Sequence, residues 1–201
     1  MGGSMIITGG GGYGKKLASS KIYTEDDGWQ DYPSLPVPTY YHCQVTVGDN
    51  VYVVGGYTDS GNTGDTYRLS LSSKQWVKQS SLNTPRGYHG CAEWDGGIMV
   101  IGGYNGGSNY LSSVEKYNPV SNKWFTFTPL PKSLWYMQVL VWDNDLYVFG
   151  GHVNSEKNEK VYKLKKDEET WETLGVTLND TLHSLQRRVF PAVTLSTIHC
   201  K

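Results

Sequence analysis

Four short apolar runs each end in a pair of glycines, and they recur at an almost constant distance along the chain. They are MIITGG (Met5–Gly10), VYVVGG (Val51–Gly56), IMVIGG (Ile98–Gly103) and LYVFGG (Leu146–Gly151), with spacings of 46, 47 and 48 residues between the first glycines of successive pairs. A tyrosine follows each pair (Tyr23, Tyr67, Tyr117, Tyr162), and then a tryptophan (Trp29, Trp76, Trp124, Trp171), the tryptophans spaced 47, 48 and 47 residues apart. A fixed period of 20 to 50 residues is the signature of a repeat architecture, in which each unit buries its apolar face against its neighbours.

Each repeat reads as strands. The runs before Gly-Gly are short, continuously apolar and β-branched, as expected for a strand covered on both faces. Three of them follow what reads as a three-residue turn, Gly48-Asp49-Asn50, Asp95-Gly96-Gly97 or Asp143-Asn144-Asp145, joining them as hairpins to CQVTV, CAEW and VLVW. The tyrosine and tryptophan segments alternate apolar and polar residues, so they read as half-exposed strands. Four strands per repeat of about 47 residues describe a propeller blade.

These markers resemble the kelch family, whose repeat has the Gly-Gly strand, the spaced Tyr and Trp, and often Pro-Arg before a strand with a His. Pro85-Arg86-Gly87-Tyr88-His89 shows that last element, and Pro38-Thr39-Tyr40-Tyr41-His42 is a weaker copy. The resemblance covers essentially the whole chain and implies an all-β, kelch-type β-propeller of four-stranded antiparallel blades, with the four Tyr and four Trp as core.

The strand inventory gives four blades: blade 1 from 5–32 plus 186–198, blade 2 from 41–79, blade 3 from 88–128 and blade 4 from 136–175, after a possible leader at 1–4. In SLQRRVFPAVTLS, Val193-Thr194-Leu195 aligns with Val45-Thr46-Val47, so this segment reads as a last inner strand that completes the first blade. Closure would remove unpaired edges. A fragment of a larger ring is the other reading, and a closed ring is expected to be a monomer.

Composition narrows the partner. Eighteen basic and 19 acidic residues leave a formal net charge of −1, which argues against nucleic acid or an anionic membrane. No run of about 18 apolar residues is present to span a bilayer, and the N-terminus shows no signal-peptide pattern. Cys43, Cys91 and Cys200 are too few for a disulfide framework. A cytoplasmic setting is the expectation, and the sequon Asn179-Asp180-Thr181 leaves an extracellular one open.

The chemistry-bearing motifs are weak. Gly9–Lys16 has the glycine and lysine spacing of a phosphate-binding loop, but Lys16 stands where Ser or Thr would hold magnesium. Trp94-Asp95 and Trp142-Asp143 only enter hairpin turns. No converging set of metal ligands, catalytic triad or carboxylate pair can be nominated, and no cofactor is implied. His42 and His89 align as repeat positions and read as structural. The alternatives carried forward are a galactose-oxidase-like enzyme and a partnerless structural or designed scaffold.

The favoured reading is a non-enzymatic module that binds a protein or peptide, as a substrate-adaptor-like scaffold. In kelch adaptors the ligand meets residues just after Gly-Gly and just before the innermost strand. Carried onto this sequence, these are Tyr13, Tyr57, Asp59, Tyr104, Asn105, His152 and Asn154, and then Tyr41, Arg86, Tyr88, Tyr136 and Arg188. Tyr and Arg are the residue types that dominate interface hot spots.

Overall fold

The computed structural model describes residues 4–12, 15–177 and 196–198. Among them every regular element is a strand: β1 (Ser4–Thr8), β2 (Gly11–Gly12), β3 (Lys15–Lys16), β4 (Ser20–Thr24), β5 (Gly28–Tyr32), β6 (Cys43–Val47), β7 (Asn50–Val54), β8 (Tyr57–Thr58), β9 (Gly61–Asn62), β10 (Thr66–Ser70) and β11 (Gln75–Gln79). The chain continues through β12 (Gly90–Trp94), β13 (Gly97–Ile101), β14 (Val114–Asn118), β15 (Lys123–Phe127), β16 (Gln138–Trp142), β17 (Asp145–Phe149), β18 (His152–Val153), β19 (Glu156–Lys157), β20 (Lys160–Leu164), β21 (Trp171–Thr177) and β22 (Ser196–Ile198).

The described strands build four four-stranded sheets, ordered β22-β1-β4-β5, β6-β7-β10-β11, β12-β13-β14-β15 and β16-β17-β20-β21. The chain divides into two compact units, each with two of these sheets. The first is Met1–Gly87 with Ala192–Lys201, and the second is Tyr88–Pro191. In the first sheet Met5 pairs with Thr197 and Ile6 with Ser196. The C-terminal strand therefore joins the N-terminal sheet at Ser196–Ile198, inside the expected segment 186–198, while Val193–Leu195 lie outside the described residues.

The hairpin turns are tighter than the sequence suggested. Val47 pairs with Asn50, Trp94 with Gly97 and Trp142 with Asp145, leaving two-residue loops. Asp95 and Gly96 have φ of 51° and 69°, and Asp143 and Asn144 have 51° and 63°. Two successive left-handed residues match the twist of the flanking strands.

The glycine pairs serve two needs together. Gly102 has φ 59°, and a Cβ there would lie 2.5 Å from the Leu134 carbonyl oxygen and 2.5 Å from Met137 Cε. The second glycine of the first three pairs also latches the chain segment that leads into the following sheet. The Gly10 amide donates to Thr39 O at 2.9 Å, Gly56 to Arg86 O at 2.7 Å and Gly103 to Leu134 O at 2.7 Å. A side chain at the pair would force those segments apart.

Apolar faces fill the space between sheets. In the second unit Met99, Ile101, Leu134, Leu146, Val148 and Leu164 form one buried cluster. In the first, Ile6, Val51 and Leu69 pack with Trp76 and Tyr32. The repeat tyrosines Tyr67, Tyr117 and Tyr162 are buried, as is Trp124. Trp76 donates its indole N–H to Pro33 O at 2.7 Å, and Trp171 donates to Thr128 O at 2.9 Å. Each acceptor lies 43 residues upstream, just past the outer strand of the preceding sheet. Trp29 departs from the expected core set: it lies tilted against Tyr23 at 5.4 Å but remains 48% exposed.

Candidate functional site

Beyond each glycine pair the chain folds back as a short ribbon rather than a loose loop. β2 pairs with β3, β8 with β9 and β18 with β19, and Tyr104 bridges Tyr110 at the corresponding place. β1 is therefore followed by the β2–β3 ribbon and then by β4, without the helix that a phosphate-binding loop requires among the described residues.

Within a sheet, the ribbon meets the residue three before the inner strand. Tyr40 and Tyr57 exchange backbone hydrogen bonds of 3.2 and 2.7 Å, and Trp135 and His152 exchange bonds of 3.2 and 2.9 Å. The next residue is a tyrosine in the three sheets where this position is described, and it is left-handed each time: Tyr41 has φ 55°, Tyr88 57° and Tyr136 59°. A bulky residue with positive φ is a true outlier. Such strain costs on the order of 1–3 kcal/mol and concentrates where a binding surface is held in place.

In the first unit, Tyr40 packs against Tyr41 at 4.1 Å and edge-on to Tyr57 at 5.6 Å and 77°. Lys16 lies over both of the bridged rings, 5.7 Å from Tyr40 and 5.4 Å from Tyr57, and its ammonium pairs with Asp59 at 2.5 Å. The Asp59 carboxylate raises the Lys16 pKa above the usual lysine value.

The second unit carries a larger aromatic network. Tyr88 sits 4.6 Å from Tyr136, 6.0 Å and nearly perpendicular to Trp135, and 6.3 Å from Tyr104. Trp135 stacks on Tyr110 at 5.3 Å and touches Tyr136 and His152 at 4.9 and 5.3 Å. Its indole donates to Asn154 O at 2.8 Å. These rings are all half-buried, with one part packed and one part open to solvent.

The sequence-nominated residues sort clearly. Tyr41, Tyr57 and Asp59 come together in the first unit, and Tyr88, Tyr104, Tyr136, His152 and Asn154 in the second. Asn105 closes the turn between them by donating its amide to Asn109 O at 3.0 Å. Arg86 differs from the others: its side chain is buried and donates from Nε to Thr84 O at 3.2 Å, which holds the loop ahead of β12. Tyr13 and Arg188 lie outside the described residues. The same clusters include Tyr40, Trp135, Lys16 and Tyr110, which sequence reasoning did not nominate. The first two adjoin nominated tyrosines, whereas the last two are ribbon-return residues that only the hairpin register reveals.

Beneath this face His42 is buried, and burial lowers its pKa to about 4 against the opposing pull of the Thr8 and Thr39 backbone. Cys43 and Cys91 are both disulfide-bonded, which the expectation from cysteine count did not anticipate. Among the described residues no group of three or more His, Cys, Asp or Glu could hold a metal ion, and no helix is long and apolar enough to cross a membrane.

A fold of four-stranded antiparallel sheets, each with a second strand that ends in Gly-Gly, is that of a kelch-type β-propeller. The KLHDC2/KLHL20/DRC7 Kelch-repeats domain model matches residues 1–134, and the chain belongs to the kelch-repeat family. It is 31% identical to kelch-like protein 36 of Rattus norvegicus, over 64% of this chain and 22% of the relative. It is also 31% identical to beta-scruin of Limulus polyphemus, over 71% of this chain and 17% of that protein. The chain thus spans about a fifth of the length of these relatives. The solved structure of YjhT superposes with a TM-score of 0.72 at 16% identity, covering 84% of this chain and 64% of that one. That likeness establishes the fold alone.

Proposed function

We propose that this chain is a protein-binding module that recognises a protein or peptide through its tyrosine-bearing loops, Tyr41 in the first unit and Tyr88 with Tyr136 in the second. The observation behind this reading is the repetition of strain: in three of the sheets a tyrosine at one repeat position is held at φ 55–59°. Local propensity opposes that conformation, so the surrounding ribbons must impose it. Half-exposed tyrosines and a tryptophan fixed on a rigid sheet offer large contact area at little cost in side-chain entropy, the property that favours them in binding surfaces. The reading assigns the face no catalytic step.

Capture from cell lysate with wild-type protein and with Tyr88→Ala plus Tyr136→Ala, read by quantitative mass spectrometry, tests it. A partner enriched by the wild type should be lost with the double variant, while far-ultraviolet dichroism and thermal melting show both proteins folded. Equal enrichment by the two proteins would reject this face as the binding site.

A further inference from the structure

We propose that the aromatic cluster of the second unit seats a basic side chain, lysine or arginine, of the bound peptide, an assignment that rests on the binding role argued above. The two units place different residues at one position of the repeat geometry, and the difference names the chemistry of the occupant.

In the first unit the chain supplies its own cation. Tyr40 and Tyr57 form the bridge between the segment entering the second sheet and that sheet's ribbon. Lys16, from the ribbon of the preceding sheet, holds its ammonium 5.7 and 5.4 Å from these two ring centroids. A ring face carries negative charge density, so a cation within about 6 Å of the centroid is attracted to it. This bridge is a cation seat, and Lys16 fills it.

The second unit repeats the bridge as Trp135 with His152. The ribbon register identifies the residue that stands where Lys16 stands. Leu17 donates its amide to Gly10 O and Leu111 donates to Gly103 O, each at 2.9 Å. Lys16 therefore corresponds to Tyr110, each being the residue just before the donor. Tyr110 stacks on Trp135 at 5.3 Å and 24°. Where the first unit has an ammonium, the second has another ring.

That exchange removes a charge and enlarges the aromatic wall. Tyr104 lies 5.6 Å from Tyr110, and Tyr88 stands at 85° to Trp135 and 65° to Tyr104. Rings at steep mutual angles present π faces in more than one direction, as in the aromatic cages that hold cations. The segments 87–89, 104–110 and 134–136, which carry the tyrosines and Trp135, contain no Asp, Glu, Lys or Arg. An acidic side chain would meet no lysine or arginine from these segments. A basic one can lay its apolar stem along the rings while its charge meets their faces.

Peptide selection tests this. A random linear-peptide display library is selected on wild-type protein, and binders that persist on Tyr88→Ala plus Tyr136→Ala are discarded. The retained peptides should share a lysine or arginine. Replacing it with neutral acetyl-lysine or citrulline should weaken binding by at least about fivefold in fluorescence polarisation. Tyr110→Lys should weaken the parent peptide more than Tyr110→Gln does, because only the first puts the chain's own cation in the seat. Retained peptides without a basic residue, neutral analogues that bind equally, or equal binding by the two Tyr110 variants would each overturn the proposal while leaving the tyrosine-bearing loops as the binding site. A library that returns no tyrosine-dependent peptide would reject those loops, and the proposal with them. Where the double variant does not fold, a peptide-induced shift of the Trp135 indole resonance selects the peptides on wild-type protein, and the neutral-analogue comparison decides.

Discussion

The backbone amide of Tyr136 donates to the carbonyl oxygen of Tyr88 at 2.9 Å, joining two left-handed tyrosines at one repeat position of adjacent sheets. Their rings are 4.6 Å apart. The strained backbone and the aromatic face are therefore one structure, since the conformation that presents each ring also supplies the bond that registers it against its neighbour.

Strain at Tyr136 separates from its ring. Tyr136→Ala and Tyr136→Gly lose the same aromatic contacts, but glycine adopts positive φ without penalty. The Gly variant should therefore be the more stable of the two by about 1 kcal/mol, the cost of the left-handed region for a residue with Cβ. Urea denaturation of the pair measures this, and equal midpoints would mean that the backbone is relaxed there.

The glycine pairs predict a second contrast. Gly102→Ala combines φ 59° with a Cβ only 2.5 Å from Leu134 O, a backbone atom that cannot swing aside. Gly48→Ala has φ 54° and nothing within 4 Å of its Cβ. The first should cost more than about 2 kcal/mol, and the second only the conformational penalty of about 1 kcal/mol. Similar losses would show that conformation, not crowding, selects glycine at the pairs.

His42 makes stability depend on acid. Its folded pKa of about 4 lies below the ordinary 6.5 because burial disfavours the cation. Below pH 6.5 the unfolded chain takes up a proton that the folded chain refuses, so stability falls as pH drops from 6.5 to about 4 and is unaffected above that window. The full loss is about 3 kcal/mol at 1.36 kcal/mol per pKa unit. Urea melts at pH 7 and pH 4.5 should show a steeper decline for the wild type than for His42→Gln. Parallel declines would assign acid sensitivity to the carboxylates instead.

Much of this was legible before any coordinates. The Gly-Gly runs mark β1, β7, β13 and β17 because continuous apolar, β-branched segments can only be inner strands, and the period forces four similar sheets. What stayed hidden depends on register and three-dimensional company. Arg86 looks like an anchor in sequence, yet the Gly56 amide pins its carbonyl and its side chain is buried. Lys16 and Tyr110 become site residues only because the ribbons return them toward the next sheet's aromatic rings. Positive φ at Tyr41, Tyr88 and Tyr136 has no local signal, since tyrosine resists that conformation. The exposure of Trp29 against the burial of Trp124 depends on which neighbour covers each, something identical repeat positions conceal.

The Lys16–Asp59 clasp should matter more to binding than to stability. It ties β3 of one sheet to the β8–β9 turn of the next, but Asp59 is 89% exposed and solvent screens the pair. Exposed ion pairs contribute about 0–1 kcal/mol and weaken with salt. Asp59 raises the Lys16 pKa, so the pair persists below the lysine's ordinary 10.5 and is lost only as pH rises through the higher folded value. A double-mutant cycle of Lys16→Gln and Asp59→Asn should therefore give only a weak coupling at neutral pH, smaller still in high salt. Lys16 also lies over the Tyr40 and Tyr57 rings. Lys16→Gln should then disturb the tyrosine face, weakening partner capture more than Asp59→Asn does, because only the first removes the cation from the rings. Equal effects on capture would place the whole contribution in the ion pair.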